Sequence, residues 1–392
     1  VKIIGYELKK IWQPATLLIV AVLSFLYYFL FISFDIEIFP NGHPATEDVA
    51  FSKELLQRYG SAPGEEQVHA FIQERREQYQ AEAEKWIAGD PAFAGVGIHN
   101  YADYLAAKER PDLEEAVFDV IWTLYGDKVD FVGFKLQSID YLETRHDNYL
   151  TSTWPSLKQE AATDYEHQRL EQIKETGEYR QVLSSWVYDN TLKVMVYFSM
   201  LVVLATLALL APLIVRDHSR QMRLLQYSSR LGRRLIRQQL AAVILSSIIL
   251  TTFLLAVMGL IYSSNDTWMF WNSGLSSYLN SYFHLLPLTY GQYILVYIAI
   301  LYAISIGSAM TAFVLSRFSQ NIITLVIKLI PAFAALGLLC YSVISLLFAS
   351  GNRWYRWTRM VGIEPVVVLV FLGLGCLLAV WITRREHKID WV

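Results

Sequence analysis

Apolar residues are gathered into long runs along this chain, and polar residues into one broad block and several short bridges. A membrane-spanning helix needs about 20 mostly apolar residues. Six stretches meet that requirement: 15–34, 194–215, 238–262, 290–316, 321–349 and 365–383. The fifth alone carries a charge, Lys328. Residues 267–289 are also uncharged but too polar and aromatic for a span. Trp268, Phe270, Trp271, Tyr278, Tyr282 and Phe283 make 263–289 an interfacial or re-entrant segment. The first run exceeds the 7–15 apolar residues of a signal-peptide core and shows no small-x-small cleavage pattern, so it reads as a retained anchor.

The polar block, 35–193, has the periodicity of a mainly helical domain. Strong helix formers fill Glu65 to Ile87, with Val68, Phe71, Ile72, Tyr79 and Trp86 near helical spacing. Pro111 followed by Asp112, Glu114 and Glu115 predicts a helix opening, since proline suits the first turn and carboxylates the positive end of the dipole. Two further helices are expected, one over 130–148 and one over 156–175. The Pro, Gly and Asn within 40–44, together with Gly95 and Gly97, mark loops.

Composition agrees with a membrane protein: the 392 residues are 54% hydrophobic and 18% charged, with a mean hydropathy of +0.31. The net charge of −3 hides a division. Residues 35–193 hold 15 Lys+Arg against 30 Asp+Glu, whereas the remainder holds 18 against 6. An acidic aqueous domain therefore interrupts a basic, apolar body. Disordered and nucleic-acid-binding chains are disfavoured, because the basic residues lie beside apolar runs. Lys2, Lys9 and Lys10, the seven arginines of 216–237, Arg317 in 317–320, and Arg384, Arg385 and Lys388 in 384–392 fall on one side if there are six crossings. The positive-inside rule then makes both termini cytoplasmic and the acidic domain extracellular.

Catalytic motifs are missing. No glycine precedes a lysine, so the chain has no phosphate-binding GxxxxGK[ST] loop, and neither GxSxG nor GxGxxG occurs. The two cysteines, Cys340 and Cys376, lie in apolar runs and form no metal cluster. His43, His69, His99, His146 and His167 show no short ligand spacing, and His146 beside Asp147 is discounted because adjacent helical residues do not face one another. No catalytic residue, cofactor site or metal site is expected in this chain. Asp266 and Glu364 are placed at outer span ends, which leaves the spans without the carboxylates of a gradient-coupled carrier.

The connection 216–237 is the most informative stretch. Asp217 follows the second span; then come a polar turn, the apolar trio Leu224, Leu225 and Tyr227, the pair Ser228 and Ser229, and Gly232 with Arg233. This order resembles the coupling-helix region of permease subunits of ABC-2-type transporters, although Gln221 stands where that family often has glycine. Lys2 to Gln13, with Ile3, Ile4, Leu8, Ile11 and Trp12 among lysines, is similar to the family's amphipathic connecting helix, assigned to 1–14. The expected architecture is therefore an all-α membrane protein. It has six spans, the connecting helix and a helical extracellular domain after the first span, as in a bacterial subgroup of that family.

The resemblance implies a bacterial plasma-membrane exporter of a peptide, lipid or antibiotic-like compound, without an ATPase site of its own. ATP and Mg would belong to a separate ATP-binding cassette subunit, gripping Asp217, Leu224, Leu225, Tyr227, Ser228, Gly232 and Arg233. The other partners implied are a second permease chain, identical or not, and membrane lipids, with no nucleic acid. Lys328 is expected either to snorkel to the inner headgroups or to serve the substrate path or a subunit interface. Arg353, Arg356 and Arg359, in the interfacial segment 350–364, alternate with Trp354, Tyr355 and Trp357. They are expected to meet lipid phosphates, an anionic substrate or the acidic domain. The alternative function is a membrane receptor or envelope interaction protein that senses a ligand through the extracellular domain.

Overall fold

A computed structural model describes residues 2–112, 114–213, 215 and 232–388. Helix α1 (Lys2–Ile11) precedes α2 (Pro14–Phe31), and the short α3 (Ser33–Glu37) leads into the polar domain. That domain comprises α4 (Ala45–Tyr59), α5 (Glu65–Gly89), α6 (Pro91–Gly95), α7 (Tyr101–Lys108), α8 (Glu115–Trp122), α9 (Val132–Asp147), α10 (Trp154–Glu160) and α11 (Asp164–Thr176). The bundle continues with α12 (Ser185–Leu210), α13 (Gly232–Tyr262), α14 (Tyr290–Arg317) and α15 (Ile322–Ile344). A short α16 (Arg353–Thr358) precedes α17 (Ile363–Lys388). Among the described residues there is no strand, and six helices, α2, α12, α13, α14, α15 and α17, are long and apolar enough to cross a membrane.

Capping explains where several of these helices begin. Thr289 and Gln292 satisfy each other's backbone N–H groups at the start of α14, and Asn321 and Thr324 do so at α15. Ser184 caps α12, which starts inside the polar block and runs unbroken into the second span. The expected junction at 193 is therefore not a break. The third span likewise extends back to Gly232. The fifth stops at Ile344, short of 349, where Ser345 leaves helical geometry. Pro111 opens no helix: α8 begins at Glu115, with Glu114 at the N-cap position but making no side-chain capping bond. The helix expected over 156–175 is two, because Thr163 and Glu166 form a capping box that starts α11 afresh.

Spans α12 and α14 are the most buried, and α2 and α15 the least. Phe25, Leu26, Phe29 and Leu30 of α2, and Ile323, Val326, Ile327 and Ile330 of α15, stand exposed, as expected for helices that meet acyl chains or another apolar surface. Hydroxyl groups tie the interior spans together. Thr191 Oγ1 meets Tyr262 OH at 2.7 Å and Tyr290 OH at 2.6 Å. Lower in the bundle, Tyr297 OH donates to Met195 O at 2.9 Å, and Thr251 Oγ1 donates to Ser305 Oγ at 2.7 Å. Each such bond contributes about 0.6 to 2 kcal/mol inside an apolar bundle.

At the opposite end from the domain, α1 lies against the first part of α13. Its buried Glu7 accepts from Gln239 Nε2 at 3.4 Å and from Lys10 Nζ at 2.9 Å, and Trp12 Nε1 donates to Ser246 Oγ at 3.0 Å. The amphipathic helix expected at the N-terminus thus forms, and it is anchored through polar groups as well as its apolar face.

Candidate functional site

The polar domain, the 263–289 segment and the 345–362 connection gather at one end of the bundle and interlock. Residues 263–289 begin with two 3-10 turns, Ser263–Asn265 and Thr267–Phe270, and continue as irregular chain. Their hydrogen bonds run to the domain and the neighbouring connection: Tyr278 N donates to Tyr179 O at 2.8 Å, Ser277 Oγ to Gln181 O at 2.5 Å, and Leu285 N to Phe348 O at 2.8 Å. The segment is thus a cap built onto the domain. Gly291 lets Trp271 close over the start of α14, since a Cβ there would lie 2.4 Å from the indole ring.

Arg169 on α11 is the electrostatic centre of this junction. It is 3% exposed and grips Glu178 with both terminal nitrogens, one at 2.9 Å, while Ser276 Oγ of the cap lies 3.5 Å away. Near it, His284 is completely buried, accepts at Nε2 from Asn280 Nδ2 at 3.3 Å, and has an unpartnered Nδ1. Burial pushes the His284 imidazole down to about 3 from 6.5, and the nearby Arg169 guanidinium adds to the shift. The unfolded chain therefore takes up a proton near pH 6.5 that the folded chain refuses until about 3, so stability is lost as pH falls through that window. His284→Gln is expected to flatten the fall in thermal midpoint between pH 6.5 and about 4; an unchanged slope would place the acid sensitivity elsewhere.

Asn352 seats the arginine group. Its Nδ2 donates to Ser345 O at 2.9 Å, at the end of α15, while its Oδ1 accepts from Trp354 N at 2.9 Å, at the start of α16. This double cap turns the chain so that Arg353, Arg356 and Arg359 stand exposed around a buried Tyr355. Arg356 and Arg359 line a cleft of about 420 Å³ with Glu160 and Glu166 of the domain. Arg359 Nη1 lies 3.7 Å from Glu166 Oε1, a loose pair between the arginine group and the domain. On the other side Arg353, Arg356, Trp354 and Trp357 border a wider groove of about 1030 Å³ with Leu338, Leu339 and Tyr341 of α15. Arg356 therefore stands between an acidic cleft and an apolar groove with an aromatic rim.

A third concavity, about 430 Å³, lies within the bundle between α12, α13 and α14. Met195, Phe198, Leu255, Met258 and Ile294 line it, with Tyr262, Tyr297 and Tyr302 supplying hydroxyls. The surface is mainly apolar with a few fixed polar groups, the make-up of a site for an amphiphile. Among the residues singled out in sequence, Lys328 reaches back along α15 and donates from Nζ to Phe318 O at 2.7 Å, at the end of α14. It thus turns toward the start of α15, at the end of the helix away from the arginine group.

Asp217, Leu224, Leu225, Tyr227 and Ser228 lie outside the described residues. Gly232 and Arg233 open α13, which continues directly into the third span. Three residues gain weight that sequence reasoning withheld. Glu364, placed at an outer span end, is completely buried; its Oε1 accepts from Phe348 N at 3.2 Å and its Oε2 has no partner. His146 and Asp147, discounted as neighbours on a helix, approach to 2.9 Å in the last turn of α9. No family model, curated protein or solved structure matches this chain.

Proposed function

We propose that the chain is the membrane subunit of an ATP-driven ABC-2-type transporter, exporting a peptide, lipid or antibiotic-like amphiphile. The observation that carries this reading is the packing of α1 along the start of α13, the helix into which 216–231 leads. The polar anchors Glu7–Gln239 and Trp12–Ser246 link the two. A force applied at 216–231 would act on α13 and, through α1, on α2. The basic residues near this end of the spans make it the cytoplasmic end by the positive-inside rule, with the acidic domain outside.

In this mechanism an ATP-binding subunit, holding ATP and Mg, grips Leu224, Leu225 and Tyr227, with Asp217, Ser228, Gly232 and Arg233 setting the register. ATP then favours one of two packings of the spans. The tyrosine-lined hollow between α12, α13 and α14 would take the apolar part of the substrate. Arg353 and Arg356 would meet phosphate headgroups or the anionic end of a substrate as it leaves. A second permease chain would cover part of the exposed apolar surface. A receptor function is the second reading, favoured by the cleft at the foot of the domain between Glu160, Glu166, Arg356 and Arg359.

The test is to co-express the chain with the products of its neighbouring genes, purify in mild detergent, and measure the mass and ATPase activity of what remains bound. Two permease chains with two ATPase subunits are expected. Leu225→Asp should weaken the association about 30-fold, the effect of losing an apolar anchor worth ~2 kcal/mol. A chain that retains no ATPase when the candidate subunit is abundant would favour the receptor.

A further inference from the structure

Two histidines distant in sequence meet on the surface of the polar domain. His69 belongs to α5 and His146 to the last turn of α9, and their rings stand edge to face with centroids 5.0 Å apart. Asp147 completes the cluster: its Oδ1 lies 2.9 Å from His146 Nδ1 and 3.6 Å from His69 Nε2. One ligand atom from each of the three falls within 4.8 Å of the others. The arrangement is held from outside itself. Arg76 of α5 donates to Asp140 Oδ1 at 3.0 Å and to Glu143 Oε1 at 3.1 Å on α9, which fixes the register of the two helices about one turn or two away. Tyr278 of the cap, 2% exposed, presents its ring to His146 at a centroid distance of 5.3 Å.

We propose that His69, His146 and Asp147 form a binding site for a divalent transition-metal ion, with zinc the best match. Two imidazoles and a carboxylate are a common zinc donor set, whereas calcium and magnesium call for a shell of oxygens. Ligand atoms placed tetrahedrally at about 2.1 Å from an ion stand about 3.4 Å apart. The two distances from Asp147, 2.9 and 3.6 Å, lie on either side of that value. Hydrogen bonding alone accounts for Asp147 beside His146, but it gives no reason for a second imidazole to converge on the same oxygen.

Side-chain exposure also suits an ion arriving from water: His146 is 10% exposed and sets one ligand in place, while His69 and Asp147, at 47% and 44%, remain open to solvent. The surplus of acidic residues in 35–193 raises the local concentration of cations. Three protein ligands leave a fourth position for water or a group from a partner. A bound ion would staple α5 to α9 where α9 meets the cap, so its occupancy would stiffen the seat of the domain on the spans. This inference does not depend on the transporter reading.

The experiment uses the full chain in detergent, stripped with a chelator and titrated with Zn²⁺ by calorimetry and with Co²⁺ by visible absorption. One site per chain is expected, with intense tetrahedral Co²⁺ bands and a thermal midpoint raised by Zn²⁺. His69→Ala and His146→Ala should each weaken Zn²⁺ binding by about 100-fold or more, beyond what loss of an outer-shell partner causes. His167→Ala, elsewhere in the domain, should leave it unchanged. His69 is largely exposed, so its variant keeps the fold, and circular dichroism checks this. Equal Zn²⁺ affinity in the wild type and His69→Ala, or weak octahedral Co²⁺ bands in the wild type, would overturn the assignment.

Discussion

Replacing Gly307 with leucine is expected to destabilise the bundle by about 3 kcal/mol, the upper range for overpacking a filled interior. Spans α14 and α17 make the most extensive helix pairing in the structure. They do so by exchanging large and small residues: Phe371 of α17 covers Gly307, and Met310 of α14 covers Gly375. A Cβ on Gly307 would fall 2.2 Å from Phe371 Cε1, which no real contact tolerates. The same atom on Gly375 would lie 3.2 Å from Met310 Sδ and 3.3 Å from its Cβ, a tight contact that a shift of a few tenths of an ångström relieves. Gly307→Leu should therefore lower the thermal midpoint in detergent strongly, Gly307→Ala moderately, and Gly375→Ala little. Adding Phe371→Ala to Gly307→Ala should restore most of the loss, since the two residues share one space. If Gly307→Leu left the midpoint unchanged, Phe371 would have to swing aside freely, and close packing would not be what joins these spans.

The second large effect is expected at the junction between domain and bundle. Arg169→Ala removes the partner of Glu178 and the contact with Ser276, leaving Glu178 with a weak 3.4 Å contact from Thr176 Oγ1. Breaking a fully buried pair from one side costs about 3 to 5 kcal/mol. Glu178 retains some contact with water, so a loss of about 2 to 4 kcal/mol is expected here. Hydrogen exchange should accelerate across 274–285 before it changes in the spans, because Arg169 links α11 to the cap. Arg169→Met combined with Glu178→Leu should recover much of the stability by removing both charges. A double variant no better than Arg169→Ala would mean that the aliphatic packing of Arg169, rather than its charge, holds the junction.

Both effects involve contacts between segments far apart in sequence, whereas much of the architecture needs no such contact. Six helices long and apolar enough to cross a membrane were legible because a helix in an apolar phase satisfies its backbone within itself, so length and apolarity suffice to mark it. The amphipathic α1 was legible for a related reason: its pattern repeats locally. Other signals were present but unread. Thr163-x-x-Glu166 is a capping box, and it divides the helix expected over 156–175 into α10 and α11. Asn352, with α16 beginning one residue later, is a helix cap of the same local kind.

Sequence by itself determined the all-helical class, the number of membrane-length helices, the polar domain after the first and the absence of familiar nucleotide-binding and catalytic motifs. Tertiary structure decided the rest: that Glu364 is buried, that Arg356 lies between an acidic cleft and an apolar groove, that Phe371 fills the space above Gly307. It also brought His69 to His146 and Asp147 across the α5–α9 contact. Helix formation and membrane partition depend on neighbours three or four residues away, which a sequence displays directly. Burial, pairing and ligand convergence depend on which helix faces are turned toward one another, and the packing of the whole bundle sets that.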